Sequence, residues 1–179
     1  MNLQEFVRVY DDVVSPQECQ FVINVFEQNA HQFEVHDTDV YKFHQLNLNR
    51  SQSLISLANN FCSKMIPVYE DYFRKLKLRE YIDINCFEEV RIKRYQHGTG
   101  EEFKTHVDIT DKESAVRSCI AILYLNENDG YTTFPTLKLK VDPKPGRVVV
   151  FPPYWMFPHN GLAPSKVDKY IMMTCLHYS

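Results

Sequence analysis

Past Leu78 the apolar residues of this chain change their period. Before that point they recur every three to four positions, which is helical spacing; after it they recur every two, or run unbroken, which is strand spacing. The order is therefore helices first and strands second. The strands are short, numerous and separated by turn residues at regular intervals. That pattern favours a sandwich or jelly roll over a parallel sheet, with the helices packed on the outer face of one sheet.

The helical half opens on a strand-like stretch from Glu5 to Tyr10. Ser15-Pro16-Gln17-Glu18 then carries the marks of a helix start, with Ser as N-cap, Pro at the first helical position and Glu at the third. Cys19, Val22, Ile23 and Phe26 follow as one apolar stripe. Val40 to Leu48 reads as a weakly alternating strand. The spacing predicts a second helix from about Ser51 to Leu76, burying Leu54, Ala58, Phe61, Met65, Tyr69, Tyr72, Phe73 and Leu76. Pro67 lies inside that pattern and is expected to kink or divide it, because proline lacks an N–H and clashes with the preceding turn.

In the second half, Phe87 to Tyr95 alternates, with Val90 and Ile92 on one face and Glu89, Arg91 and Lys93 on the other. Ser118 to Leu125 is a continuous apolar run, as for a strand covered on both faces. Asp129-Gly130 and Pro145-Gly146 mark turns. Leu137, Leu139 and Val141 alternate with Lys138 and Lys140, a strand with one wet face. Arg147 to Phe151 and Lys169 to about Tyr178 supply the last strands.

At 179 residues, one domain spanning 1–179 is the expectation, with helical support over about 1–80 and the β portion over about 81–179. The formal net charge of -3 carries no basic excess, so there is no strong nucleic-acid signal. No apolar run approaches the roughly 20 residues needed to span a bilayer. Met1 to Glu5 shows no secretory pattern, and the five cysteines are odd in number with no Cys-x-x-Cys, so reduced thiols in a cytoplasmic setting are expected.

His106-Val107-Asp108 is the first chemistry-bearing motif. Residues i and i+2 of a strand share a face, so an imidazole and a carboxylate can be presented together. Taken by itself the pair fits two readings, a metal-ligand pair or a surface histidine beside a turn aspartate. His159, at the end of an apolar strand, would complete a two-histidine, one-carboxylate set of the kind that holds ferrous iron on one face and leaves the other open. Lys169, ten positions further on, is a cation suited to a dianionic co-substrate. His31, His36, His44, His97 and His177 read as surface or strand histidines. Ile109 to Ala115 reads equally as a mobile lid or a solvated turn, Arg117 as a solvated strand-end charge, and Trp155 and Phe157 as ordinary packing ahead of walls of the site.

The order of features around these residues carries a resemblance. Gly100-x-x-Phe103-x-x-His106-x-Asp108 comes first. The apolar strand ending in Tyr124-Leu125-Asn126, the Gly130 to Pro135 segment, Pro145-Gly146, His159-Asn160-Gly161 and Lys169 follow. From about Arg94 to Tyr178 the chain resembles the iron(II)- and 2-oxoglutarate-dependent oxygenases of the prolyl 4-hydroxylase type. It departs from them at Asp129 and Tyr131, where a glycine and a glutamate are usual.

The resemblance implies a mainly β fold, a double-stranded β-helix (jelly roll) with N-terminal helices on one sheet. It implies His106, Asp108 and His159 as iron ligands. Lys169 would pair with the distal carboxylate of 2-oxoglutarate, Tyr124 would donate to the same carboxylate, and Tyr95 would line the pocket. It also implies Fe(II), 2-oxoglutarate and O2 as reactants, with ascorbate as a reductant, and hydroxylation of a peptide or protein side chain, proline first, with release of succinate and CO2. Alternatives are the same chemistry on a free amino acid or small metabolite, a jelly-roll binding module that does not catalyse, and, more weakly, a zinc hydrolase.

Overall fold

A computed structural model describes residues 2–84 and 86–178. In chain order its elements are β1 (Arg8–Tyr10), α1 (Pro16–Gln28), β2 (Glu34–Asp37), β3 (Lys42–Asn47), α2 (Ile55–Lys75), β4 (Arg91–Tyr95), β5 (Phe103–His106), β6 (Arg117–Tyr124), β7 (Thr132–Phe134), β8 (Leu139–Val141), β9 (Val148–Phe151), β10 (His159–Gly161) and β11 (Lys169–His177). The strands form two sheets, a larger one in the order β1-β9-β6-β11-β4-β3-β2 and a smaller one in the order β5-β10-β7-β8. Every pairing between these strands is antiparallel. The architecture is the mainly β jelly roll with helices on one sheet that the strand pattern called for.

Helix α1 begins where its capping residues place it. Ser15 Oγ accepts from the Glu18 amide while the Glu18 carboxylate accepts from the Ser15 amide, so two otherwise orphaned donors are satisfied. Such a cap is worth about 1 kcal/mol. Helix α2 buries all eight residues of its apolar stripe and runs unbroken through Pro67. Division at the proline is thus overruled, because that buried stripe holds the segments before and after it on one sheet face.

The sheets create two hydrophobic layers. One joins the helices to the outer face of the large sheet, where Phe26, Met65 and Tyr69 meet Ile92, Leu123 and Met172. The other fills the space between the sheets with Tyr95, Ile120, Tyr124, Phe134, Phe151 and Ile171. β6 contributes alternate residues to both layers, which is why its sequence is apolar without a break.

Some boundaries differ from the sequence reading. Leu3–Phe6 is a short 3-10 turn, and only Arg8–Tyr10 pairs as a strand. Glu34–Asp37 is an additional edge strand with no apolar signature. Pro135–Leu137 forms a 3-10 turn that ends on Lys138 in the left-handed region, φ 52°, so β8 is shorter than the alternation suggested. Gly146 has φ +80°, and a Cβ there would sit 2.0 Å from the Val14 carbonyl oxygen, so that turn requires glycine. All five cysteines are free. Among the described residues no helix is long and apolar enough to cross a membrane.

Candidate metal centre

The end of the inter-sheet layer is polar. His106 closes β5 and His159 opens β10, and the two are register partners across that strand pair. Asp108 lies two residues beyond β5, its amide donating to the Pro153 carbonyl at 3.3 Å. One donor atom from each of His106, Asp108 and His159 lies within 4.8 Å of the others.

The hydrogen bonds fix which atoms converge. His106 Nδ1 is 2.8 Å from the Lys104 carbonyl oxygen, and His159 Nδ1 is 3.2 Å from that of Phe157. A carbonyl only accepts, so each Nδ1 carries the proton and each Nε2 presents a bare lone pair. Those lone pairs face Asp108, with His106 Nε2 at 3.8 Å from Oδ1 and His159 Nε2 at 3.4 Å from Oδ2. Burial, and for His106 also the neighbouring His159, holds both imidazoles down to about 4, so they are neutral near pH 7. The Asp108 carboxyl is pushed up by burial, against the pull of His106 and Arg117, and its Oδ2 has no hydrogen-bond partner. Three electron-pair donors therefore meet with no proton between them, an arrangement that a cation relieves and that the donor set suits to a divalent transition metal.

The rings are held from outside. Phe103 lies flat against His106, centroids 3.5 Å apart and planes 5° apart. Phe151 meets His159 edge-on at 4.6 Å. Arg117 is a residue that sequence reasoning undervalued. It donates to the Asp108 carbonyl at 2.8 Å and makes two 2.8 Å bonds to Glu88. Burial alone would raise the Glu88 carboxyl, but the Arg117 hydrogen bonds and charge, with Arg91, bring it down to about 2. The result is a fixed ion pair bracing the Asp108 main chain.

Lys169, the first residue of β11, is 1% exposed and pairs in register with Tyr95. Its ammonium stands 5.0 Å over the Tyr95 ring. Among the described residues no hydrogen bond or ion pair reaches it, and burial alone drives it down to about 7. Space for it is made by two glycines. A Cβ on Gly161 would lie 3.1 Å from Lys169 Nζ, and one on Gly130 would lie 3.0 Å from its Cδ and 2.8 Å from the Leu162 carbonyl oxygen. Gly161 follows His159 in the His-x-Gly that the sequence showed; Gly130 was read as a turn and as the start of the family-like Gly130 to Pro135 segment, without a link to Lys169.

Lys169 and Tyr95 line one cavity of about 40 Å³ with His106, Asp108 and His159. Tyr124 is fully buried just outside that lining, its hydroxyl without a hydrogen-bond partner and Thr132, which does line the cavity, as its neighbour. Trp155 is 77% exposed and Phe157 is 2% exposed in the core, so both follow the packing reading. Bonds between Asp111 and Ser114 tie the segment after Asp108 into a turn. The other five histidines stand apart from the centre, four of them beside carboxylates, as His97 beside Asp168 and His177 beside Glu88.

Comparison with known proteins matches residues 90–177 to the 2OG-Fe(II) oxygenase superfamily. No curated protein matches the chain by sequence. Among solved structures, it is similar to the viral collagen prolyl hydroxylase of Paramecium Bursaria Chlorella virus-1, with TM-score 0.73, 21% identity, and 97% of each chain covered. It is also similar to a Pseudomonas putida prolyl-4-hydroxylase, with TM-score 0.72, 16% identity, and 97% and 93% covered. A third is a Trichoplax adhaerens prolyl hydroxylase in complex with a hypoxia inducible factor peptide fragment, with TM-score 0.68, 14% identity, and 97% and 84% covered. The matched segment takes in all three converging donors and Lys169, and the surrounding fold is that of the prolyl hydroxylases: the chain is a member of the 2OG-Fe(II) oxygenase superfamily, a 2-oxoglutarate-dependent dioxygenase.

Proposed function

We propose that the chain hydroxylates a peptidyl side chain, with proline the leading target, using His106, Asp108 and His159 to hold Fe(II) and Lys169 to hold 2-oxoglutarate. The observation that carries this reading is the pairing, in one cavity, of three bare donors with an unpaired buried ammonium. The first set demands a cation and the second an anion. Fe(II) with 2-oxoglutarate and O2 supplies the oxidation, in which 2-oxoglutarate leaves as succinate and CO2 and a C–H bond becomes C–OH.

The chain's own residues do the rest. The Lys104 and Phe157 carbonyls keep both imidazoles in the tautomer that ligates. Arg117 fixes the Asp108 backbone. Lys169 forms a charge-assisted bond to the far carboxylate in a dry pocket, where such a bond is strong, and Tyr124 offers its spare hydroxyl to the same end of the co-substrate. Tyr95 and Gly161 shape the walls.

An open groove of about 220 Å³ adjoins this cavity and shares Lys93, Phe103, Asp108 and Met173 with it. A groove beside the centre suits a peptide better than a small metabolite, and a likeness to a hydroxylase in complex with a peptide supports the same reading.

The test is succinate release from 2-oxoglutarate with Fe(II), ascorbate and a panel of proline peptides, read beside Mn(II) binding. Asp108→Ala is expected to abolish both. Mn(II) affinity and turnover left intact in that variant would refute the assignment. A Lys169→Ala enzyme with full activity would point instead to a hydrolytic metal site.

A further inference from the structure

Lys93 is the other buried lysine among the described residues, at 7% exposed. Its position on β4, two residues before Tyr95, turns it toward the inter-sheet cavity while Ile92 packs on the helix side. No hydrogen bond or ion pair reaches its ammonium among the described residues. It lies 4.2 Å over the Phe43 ring and 5.5 Å over that of Phe103.

Those contacts locate the charge. Phe43 lines the outer groove and is absent from the inner cavity. Lys169, by contrast, sits over Tyr95, which lines the inner cavity and is absent from the groove. Lys169 thus lines the inner cavity alone, whereas Lys93 lines both spaces and stands on the groove side over Phe43. The groove holds three cations, Arg91, Lys93 and Arg117, on a chain whose net charge is -3. Both arginines are already paired with Glu88. Lys93 has no such partner, and Asp108, the acid that lines the groove beside it, forms no ion pair with it. Ring faces alone repay only part of the cost of taking an ammonium out of water.

Given the assignment of Lys169 to 2-oxoglutarate, we infer that Lys93 is a substrate-recognition residue whose ammonium binds a carboxylate carried by the substrate close to the carbon that is hydroxylated. In a peptide that carboxylate is a glutamate or aspartate beside the target residue; in a free amino acid it is the molecule's own. Burial, together with the repulsion of Arg91, holds Lys93 down to about 8, so it is charged at neutral pH and gains most when an anion enters.

The experiment uses protein loaded with Mn(II) and N-oxalylglycine, a non-reacting mimic of the co-substrate. Calorimetry compares two otherwise identical proline peptides with glutamate or glutamine next to the proline, and separately L-proline with L-prolinamide. Wild type is expected to bind the glutamate peptide roughly tenfold or more tightly than its glutamine twin, as for a charge-assisted bond. Lys93→Met should erase that preference and leave N-oxalylglycine affinity unchanged. A preference confined to the L-proline pair would support the same role for Lys93 with a free amino acid as the carboxylate's source, and would count against a peptide substrate.

No preference in wild type, or one that survives Lys93→Met, overturns the inference, as does failure of every probe to bind. A weakened N-oxalylglycine complex in Lys93→Met also overturns it, by moving Lys93 to the co-substrate. Should Lys93→Met not fold, Lys93→Gln and the wild-type comparison decide. Mn(II) and N-oxalylglycine binding, measured first, reports separately on the assignment of the centre itself.

Discussion

Replacing Lys169 with methionine should make the unliganded protein more stable and at the same time abolish its affinity for 2-oxoglutarate. The ammonium would titrate at 10.5 in the unfolded chain and titrates at about 7 in place, with burial as the cause. At about 1.36 kcal/mol per pH unit, holding it charged in the folded state costs up to about 4–5 kcal/mol. Methionine keeps most of the buried stem and removes the charge. For a chain of this size each kcal/mol moves the midpoint by about 2–4 °C, so a rise of up to roughly 8–20 °C is expected by scanning calorimetry. Binding moves the other way. A carboxylate left in the pocket without its cation loses about 3–5 kcal/mol, so N-oxalylglycine affinity should fall by roughly a hundredfold or more. A lysine kept for structure would behave in the opposite sense on both counts. A lower midpoint with unchanged N-oxalylglycine affinity would refute the reasoning.

The same burial sets a pH dependence. Between about pH 7 and 10.5 the unfolded chain binds more protons at Lys169 than the folded one, so stability of the unliganded protein rises with pH across that window. Lys93, held at about 8, adds slope in its upper part. Saturation with Mn(II) and N-oxalylglycine pairs the Lys169 charge and should flatten the profile, so a flat profile without ligand would contradict the burial argument. Gly161→Ala places a methyl 3.1 Å from Lys169 Nζ at ordinary backbone angles, and should weaken N-oxalylglycine roughly tenfold with the fold intact by circular dichroism; unchanged affinity would remove the cradle argument. Arg117→Met frees the Asp108 carbonyl and leaves Glu88 without its main partner, so Mn(II) affinity should drop about 10–100-fold by titration, and equal affinity would mean the brace is dispensable.

What the sequence disclosed follows from how far each signal reaches along the chain. Capping, the helical stripes and the unbroken β6 run are local, and each appears where its residues place it. His106 and Asp108 are two residues apart, so their proximity is also local. The meeting with His159 depends on β5 and β10 pairing across the small sheet, and it was legible through the order of family-like features. The Arg117–Glu88 brace joins residues 29 apart with no pattern linking them. Lys93 was hidden for a different reason. Alternation shows that Arg91 and Lys93 face away from Ile92, but not whether that opposite face meets water or a second sheet. Here the second sheet closes over it, and a lysine that looks solvent-facing in sequence becomes buried.

The two cores divide the labour that such burial requires. Lys93, Lys169, the unpartnered Tyr124 hydroxyl and Asp108 Oδ2 all sit in or beside the inter-sheet layer, where each lost partner weakens the unliganded fold. Among the described residues the layer between the helices and the large sheet contains no buried lysine; Phe26, Met65 and Ile92 are fully enclosed there, and the unpartnered Tyr69 hydroxyl in that layer is neutral. Because β6, β11 and β4 present one face to each layer, the helix side anchors the same strands whose other side carries the two buried ammonium groups. Strain placed in the site is thus offset by packing that no ligand touches, and metal and co-substrate binding recover part of the stability the empty centre lacks.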